Sequence, residues 1–171
     1  KMKILLIEDN LDDVELIKEC LIQNPNNPQV NITNVSRLEE GINQANKNHF
    51  DVILLDLSLP DSLSGDISTF YHFNNYLPNM VVIIMTGRND QETATKALRA
   101  GAQDYFIKED LNPMSQGLSR CVRYAYERGQ HIENQKDPDK NEIKNRVIDD
   151  NDPLEQVRVK LDQLKSRFRD E

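Results

Sequence analysis

The stretch Val52-Ile53-Leu54-Leu55-Asp56 decides the fold: four consecutive apolar residues that end on a carboxylate. An unbroken apolar run of this length suits a strand buried on both faces, as in a parallel sheet covered by helices. Two further runs match it, Lys3–Ile7 before Glu8 and Asp9, and Met80–Met85 before Thr86. A weaker pair completes the set. Val30–Val35 alternates apolar and polar residues as an edge strand does, and Tyr105–Ile107 is short and leads into Lys108. Helix-period segments are expected between them, over Leu11–Ile22, Leu38–Asn48, Ile67–Tyr76, Glu92–Ala100 and Pro113–Arg128. Gly41 interrupts the second of these, and Gly101 stands where a helix C-terminus commonly has a glycine.

Five βα units in about 130 residues predict an α/β fold, a doubly wound five-stranded parallel sheet of flavodoxin-like order 2-1-3-4-5. In that topology the chemistry gathers at the carboxyl ends of the strands. The 171 residues suffice for one such domain and an extra segment. A composition break near residue 130 divides the chain into a globular domain over 1–130, a polar linker over 131–152 and an amphipathic helical tail over 153–171. The linker reading rests on solvated runs such as Asp137-Pro138-Asp139-Lys140 and Asp149-Asp150-Asn151-Asp152-Pro153.

Charge and composition exclude several classes. With 21 basic and 29 acidic residues the net charge is −8, a poor field for gripping nucleic acid or an anionic membrane. No apolar run approaches the ~18 residues of a bilayer-spanning helix. The chain turns acidic at Glu8, too early for a signal peptide. Cys20 and Cys121 fall far apart in helical segments and are expected to be reduced, which favours a cytoplasmic protein.

At the strand ends the residue types form a pattern. Glu8 and Asp9 follow the first strand, Asp56 ends the third, Thr86 the fourth, and Lys108 follows the fifth. Three crowded carboxylates need a cation to stay ionised together, and their hard oxygens suit Mg2+. A hydroxyl and an ammonium opposite the metal suit a polyoxygen anion. Phosphoryl is the natural candidate, since a carboxylate is a competent nucleophile towards it. Each residue also has a plainer reading. A carboxylate after a strand is often a helix cap, a service Asp12 or Asp13 could supply instead, and a strand-end Thr or Lys is commonly solvated. Five matching types at five corresponding positions argue against coincidence. His49, His72 and His131 show no ligand-like spacing with one another or with the cysteines.

Four segments carry a family resemblance: Ile4-Leu5-Leu6-Ile7-Glu8-Asp9-Asn10, Ile53-Leu54-Leu55-Asp56-Leu57-Ser58-Leu59-Pro60-Asp61, Ile84-Met85-Thr86-Gly87 and Gly101-Ala102-Gln103-Asp104-Tyr105-Phe106-Ile107-Lys108. Together they resemble the receiver domain of two-component response regulators over residues 2–130. The resemblance implies that Asp56 accepts a phosphoryl group from a phosphohistidine of a sensor histidine kinase or phosphotransfer protein. It implies Mg2+ held by Asp9, Asp56 and the backbone carbonyl of Ser58, with Glu8 acting mainly through metal-bound water. Thr86 and Lys108 would contact the phosphoryl oxygens, and Tyr105 would be the aromatic switch that moves with Thr86. Self-phosphorylation and autodephosphorylation, rather than conventional enzyme turnover, would follow.

Three features depart from the family pattern. Glu109 follows Lys108 where many receivers have a cis-linked proline, so that bond is either trans or strained. Gly65 comes about one residue later than usual, which would reshape the Asp61–Ser64 loop where a kinase docks. Ser58 and Arg88 occupy the variable positions that tune acyl-phosphate hydrolysis in the family. Two look-alikes with related topology fit worse. A flavodoxin needs a phosphate loop where Glu8-Asp9-Asn10-Leu11-Asp12-Asp13 would repel phosphate. A haloacid-dehalogenase-type phosphatase needs a second Asp where Ser58 stands.

Asp152-Pro153-Leu154-Glu155 makes a good helix start, and Leu154, Val157, Leu161, Leu164 and Phe168 then form a seam of about two heptads. The seam has two candidate partners: a second copy, giving a homodimer, or the receiver domain itself, its own or a neighbour's. The basic residues Arg158, Lys160, Lys165, Arg167 and Arg169 are interleaved with acids, so no direct DNA binding is expected of this chain. The chain is read as a stand-alone regulator with a helical tail or the N-terminal part of a longer signalling protein. The expected function is a phosphorylation-driven switch of conformation or dimerisation. The alternative is a receiver-like module that holds its partner without phosphorylation.

Overall fold

The apolar runs form the strands, in a computed structural model that describes residues 1–23, 29–62 and 66–136. The expected tail, the linker beyond 136, Gly65 and the side chain of Arg88 lie outside the described residues. In chain order the elements are β1 (Met2–Ile7), α1 (Leu11–Ile22), β2 (Val30–Val35), α2 (Leu38–Lys47), β3 (Val52–Asp56), α3 (Ile67–Tyr76), β4 (Val82–Thr86), α4 (Gln91–Arg99), β5 (Asp104–Ile107) and α5 (Gly117–Lys136). The strands pair in parallel in the order β2-β1-β3-β4-β5, as expected from the sequence. Residues Lys1–Ile132 form one compact unit.

The double winding follows from the period-two alternation of side chains along a strand. Leu5, Ile7, Ile53, Leu55, Val82 and Ile84 face one way, into a core closed by Leu38 and Ile42 of α2, Phe70 and Phe73 of α3, and Ala97 of α4. Ile4, Leu6, Val52, Leu54, Ile83 and Met85 face the other, against Val14, Ile17 and Leu21 of α1 and Leu118, Val122 and Ala125 of α5. β3 and β4 are buried at every position, whereas β5 is half-buried throughout. That difference explains why the first two read as continuous apolar runs.

Two elements start two or more residues later than expected, for local reasons. β4 starts at Val82 because Pro78 and Asn79 form a turn that also takes up Met80. α5 starts at Gly117 rather than Pro113. Asn112 accepts the Met114 N–H on its side chain at 2.9 Å and the Ser115 N–H on its carbonyl at 2.9 Å, a turn that competes with helix. The helix then continues to Lys136, into the stretch read as linker. Gly101 ends α4 with a φ of 110° and lets the Ala102 N–H reach the Ala97 carbonyl at 2.9 Å.

Gly41 does not interrupt α2; it lets the helix approach β1. A Cβ at that position would lie 2.9 Å from Ile7 Cγ1 and closer still to Ile7 Cδ1, and Ile7 is a stiff, fully buried residue. Alanine would gain ~1 kcal/mol of helix propensity but lose about 1–3 kcal/mol to overpacking. Gly41→Ala is therefore expected to lower the urea midpoint at unchanged m value, the opposite of what propensity alone dictates.

Candidate functional site

The parallel register sets the strand ends side by side. Ile7 lies opposite Leu55, so Glu8 emerges level with Asp56; Asp56 lies opposite Met85, one residue before Thr86; Thr86 lies opposite Ile107, one residue before Lys108. Glu8, Asp56 and Thr86 are 1%, 5% and 3% exposed. Carboxylate oxygens of Glu8, Asp9 and Asp56 come within 4.8 Å of one another.

Lys108 reaches into this acidic group. Its Nζ lies 2.5 Å from Glu8 Oε2, 3.1 Å from Asp13 Oδ2 and 3.3 Å from Asp56 Oδ2. The contact to Asp13 is a hydrogen bond, whereas Glu8 Oε2, though in ion-pair contact, has no partner in hydrogen-bond geometry. Among the described residues no peptide bond is cis, so Lys108–Glu109 is trans, and Lys108–Asp110 form a short 3-10 turn.

The segment after β1 is fixed by Asn10. Its side chain caps α1, accepting from the Asp12 and Asp13 N–H groups at 2.9 and 3.1 Å, and its own N–H donates to Glu8 Oε1 at 3.0 Å. The capping service considered for Asp12 or Asp13 therefore falls to Asn10, and Asp13 turns its carboxylate to Lys108 instead. Sequence reading missed that role. The available signal was position: the first turn of α1 lies at the same sheet edge as the strand ends.

Beside Asp56, a cleft is lined by Ser58, Thr86, Gly87, Asp90 and Thr93. Ser58 is exposed, and its N–H donates to Asp56 Oδ1 at 3.2 Å. The Thr86 hydroxyl donates to the Gly87 carbonyl at 3.3 Å. Tyr105 is not among the cleft-lining residues; it packs half-buried against the core on the α2–α4 side. Asp61, from the loop after β3, caps α2 across the chain by accepting from the Leu38 N–H at 2.8 Å and the Glu39 N–H at 3.1 Å. Burial alone would push its carboxyl up, but these bonds and Arg37 hold it below the ordinary value. His49 and His72 pair with Asp51 at 3.2 Å and Glu39 at 2.8 Å, away from the acidic group.

The electrostatics follow from one ammonium set among four carboxylates, Glu8, Asp9, Asp13 and Asp56. Burial pushes the Glu8 carboxyl up, Lys108 partly offsets this, and the Asp56 charge adds to it; the net shift is upward. For Lys108 burial works downward, but Glu8, Asp56 and Asp13 outweigh it and its affinity for the proton rises. The two directions agree, because a cluster with excess negative charge favours protons on both groups. A folded-state carboxyl that holds its proton more tightly than the unfolded one loses folding stability as pH rises above its ordinary 4.5 and through its folded range. Glu8→Gln is therefore expected to stabilise the metal-free protein by about 1 kcal/mol at neutral pH. The gain should shrink towards pH 4, as unfolding curves over a pH series would show.

The class of protein is a doubly wound α/β domain with acids, a hydroxyl and a lysine at adjacent strand ends. The chain belongs to the response regulator receiver domain family, whose model matches residues 4–116. The regulatory protein LuxO of Vibrio cholerae is 28% identical over 130 residues, 75% of this chain and 27% of LuxO. The cell cycle transcriptional regulator CtrA of Caulobacter vibrioides is 30% identical over 107 residues, 63% of this chain and 44% of CtrA. Both matches span less than half of the relative's length. A response regulator receiver domain protein from Clostridium thermocellum superposes with a TM-score of 0.63 at 27% identity, covering 77% of this chain and 99% of that one. Among the described residues no helix is long and apolar enough to cross a membrane.

Proposed function

We propose that Asp56 takes a phosphoryl group from a phosphohistidine on a sensor histidine kinase or phosphotransfer protein, and that the occupied site changes the conformation or self-association of the chain. The observation that supports this reading is the setting of Asp56: a buried carboxylate held 3.3 Å from the Lys108 ammonium, on a cleft it shares with Ser58 and Thr86. In the transfer, a carboxylate oxygen of Asp56 bonds to phosphorus while the phosphorus–nitrogen bond of the donor breaks. The bond's electron pair returns to the ring nitrogen, and neutral imidazole leaves because its other nitrogen carries a proton. Lys108 and the Thr86 hydroxyl offset the charge on the phosphoryl oxygens. The product is an acyl phosphate, which returns to the carboxylate by hydrolysis.

The acidic group fits Mg2+: the buried Glu8 Oε2 lacks a hydrogen-bond partner, and the gathered donors are all hard oxygens. Asp9, Asp56 and the Ser58 carbonyl would hold the ion, with Glu8 mainly through water. Bound there, it supplies positive charge against the phosphoryl oxygens. Thr86 and Tyr105 are the pair that responds to the occupied site, and α4, β5 and α5 form the face through which a partner or a second copy senses it.

Acetyl phosphate with Mg2+ tests the reading. Wild-type protein is expected to gain one phosphate, mapped to Asp56 by peptide mass analysis, and Asp56→Asn to gain none while keeping its fold. Phosphate on Ser58 or Asp61 would overturn the site. An unlabelled wild type would leave the phosphorylation-independent interaction module.

A further inference from the structure

Lys108 has more carboxylate partners than the phosphoryl reading requires. Glu8 and Asp56 belong to the acidic group that fits Mg2+, but Asp13 does not. Even so, Lys108 Nζ also donates a hydrogen bond to Asp13 Oδ2 at 3.1 Å, beside its closer ion pair with Glu8. Asp13 is firmly placed: it lies in the first turn of α1, its N–H is held by Asn10 Oδ1 at 3.1 Å, and its side chain is 29% exposed beside the 18% of Lys108. The same Asn10 fixes Glu8 through its own N–H, so one short segment presents both carboxylates to the ammonium at a set spacing.

We propose that Asp13 is the positioning residue for Lys108, sharing the ammonium with Glu8 and Asp56 so that a divalent cation can displace it from them. The inference rests on the reading above, in which those two acids serve the metal and the phosphoryl group. Among the described residues the other ion-pair partners of the ammonium are the metal-binding acids Glu8 and Asp56, so without Asp13 a divalent cation must compete with a fully engaged lysine for Glu8. With Asp13 present, Lys108 gives up Glu8 at lower cost because its charge already has another partner nearby. Asp13 also serves α1 as an acid at a helix N-terminus, but Asp12 does the same, and Asn10 supplies the cap. A helix-stabilising role alone would give Asp13 no dependence on Lys108.

That dependence is measurable as a double-mutant cycle in Mg2+ affinity. Wild type, Asp13→Asn, Lys108→Met and the double variant are titrated with MgCl2 and followed by amide chemical shifts, which also report that each variant is folded. Asp13→Asn is expected to weaken Mg2+ binding roughly fivefold where Lys108 is present, the scale of one part-exposed ion pair. In the Lys108→Met background the loss should be less than about twofold, and Asp13→Glu should restore most of the wild-type affinity. Simple loss of a negative charge gives the opposite pattern, an equal or larger drop once Lys108 no longer screens Asp13. That pattern, or an unchanged affinity in Asp13→Asn, would overturn the proposal. A wild type that binds no Mg2+ would overturn the metal reading and this inference together, whereas a wild type that binds while the cycle shows no coupling removes Asp13 alone.

Discussion

The site depends on keeping like charges out of water. Glu8 and Asp56 are almost completely buried with Asp9 beside them, and taking a carboxylate from water costs several kcal/mol per ion unless a cation compensates. Lys108 supplies that cation at 2.5 and 3.3 Å, yet one ammonium among four carboxylates leaves the group negative. A negative pocket repels a phosphoryl dianion. On the proposed function, a further cation would therefore have to enter before the anion.

Holding such a group requires a scaffold that does not relax around it. β3 and β4 are buried at every position, and α2 approaches β1 closely enough that Gly41 leaves no space for a methyl group. A close-packed interior resists the shifts that would let Glu8 and Asp56 move apart or reach water. The loops are tied down as well. Asp61, five residues past Asp56, is bonded to the first N–H groups of α2, so the loop that follows Asp56 is fastened to a helix on the opposite core from α1. The Thr69 hydroxyl adds a second fastening, donating to the Leu57 carbonyl at 2.8 Å from inside α3.

Much of this was legible in the sequence because the central strands are covered on both faces. Ile4–Ile7, Val52–Leu55 and Val82–Met85 could only be apolar, and a carboxylate or Thr at the end of each run marks where the sheet stops and chemistry starts. Local hydrogen bonding was less legible. The Asn112 turn that delays α5 and the Asn10 cap of α1 depend on which of several polar side chains wins the same backbone donors, and residue type alone does not decide that. The partnership of Asp13 with Lys108 spans 95 positions and joins the segment after β1 to the end of β5, so no local pattern records it. The same holds for Asp61, whose helix-capping service is rendered to a helix that precedes it in the chain.

On the proposed function, the position of Lys108 bears on how the site would communicate. Asp56 ends a strand enclosed by β1 and β4, where displacement would open cavities on both faces. Lys108 follows β5, an edge strand paired only with β4 and half-buried along its length. At its far end Asp104 accepts a hydrogen bond from Arg128 of α5 at 2.9 Å, and Tyr105 beside it packs only partly into the core. A pull on the ammonium therefore acts on the strand least constrained by packing and, through Asp104, on the helix that leads out of the domain. On the proposed function, an added charge at Asp56 would change what Lys108 is attracted to, and the lysine would be the group whose displacement this strand can pass on.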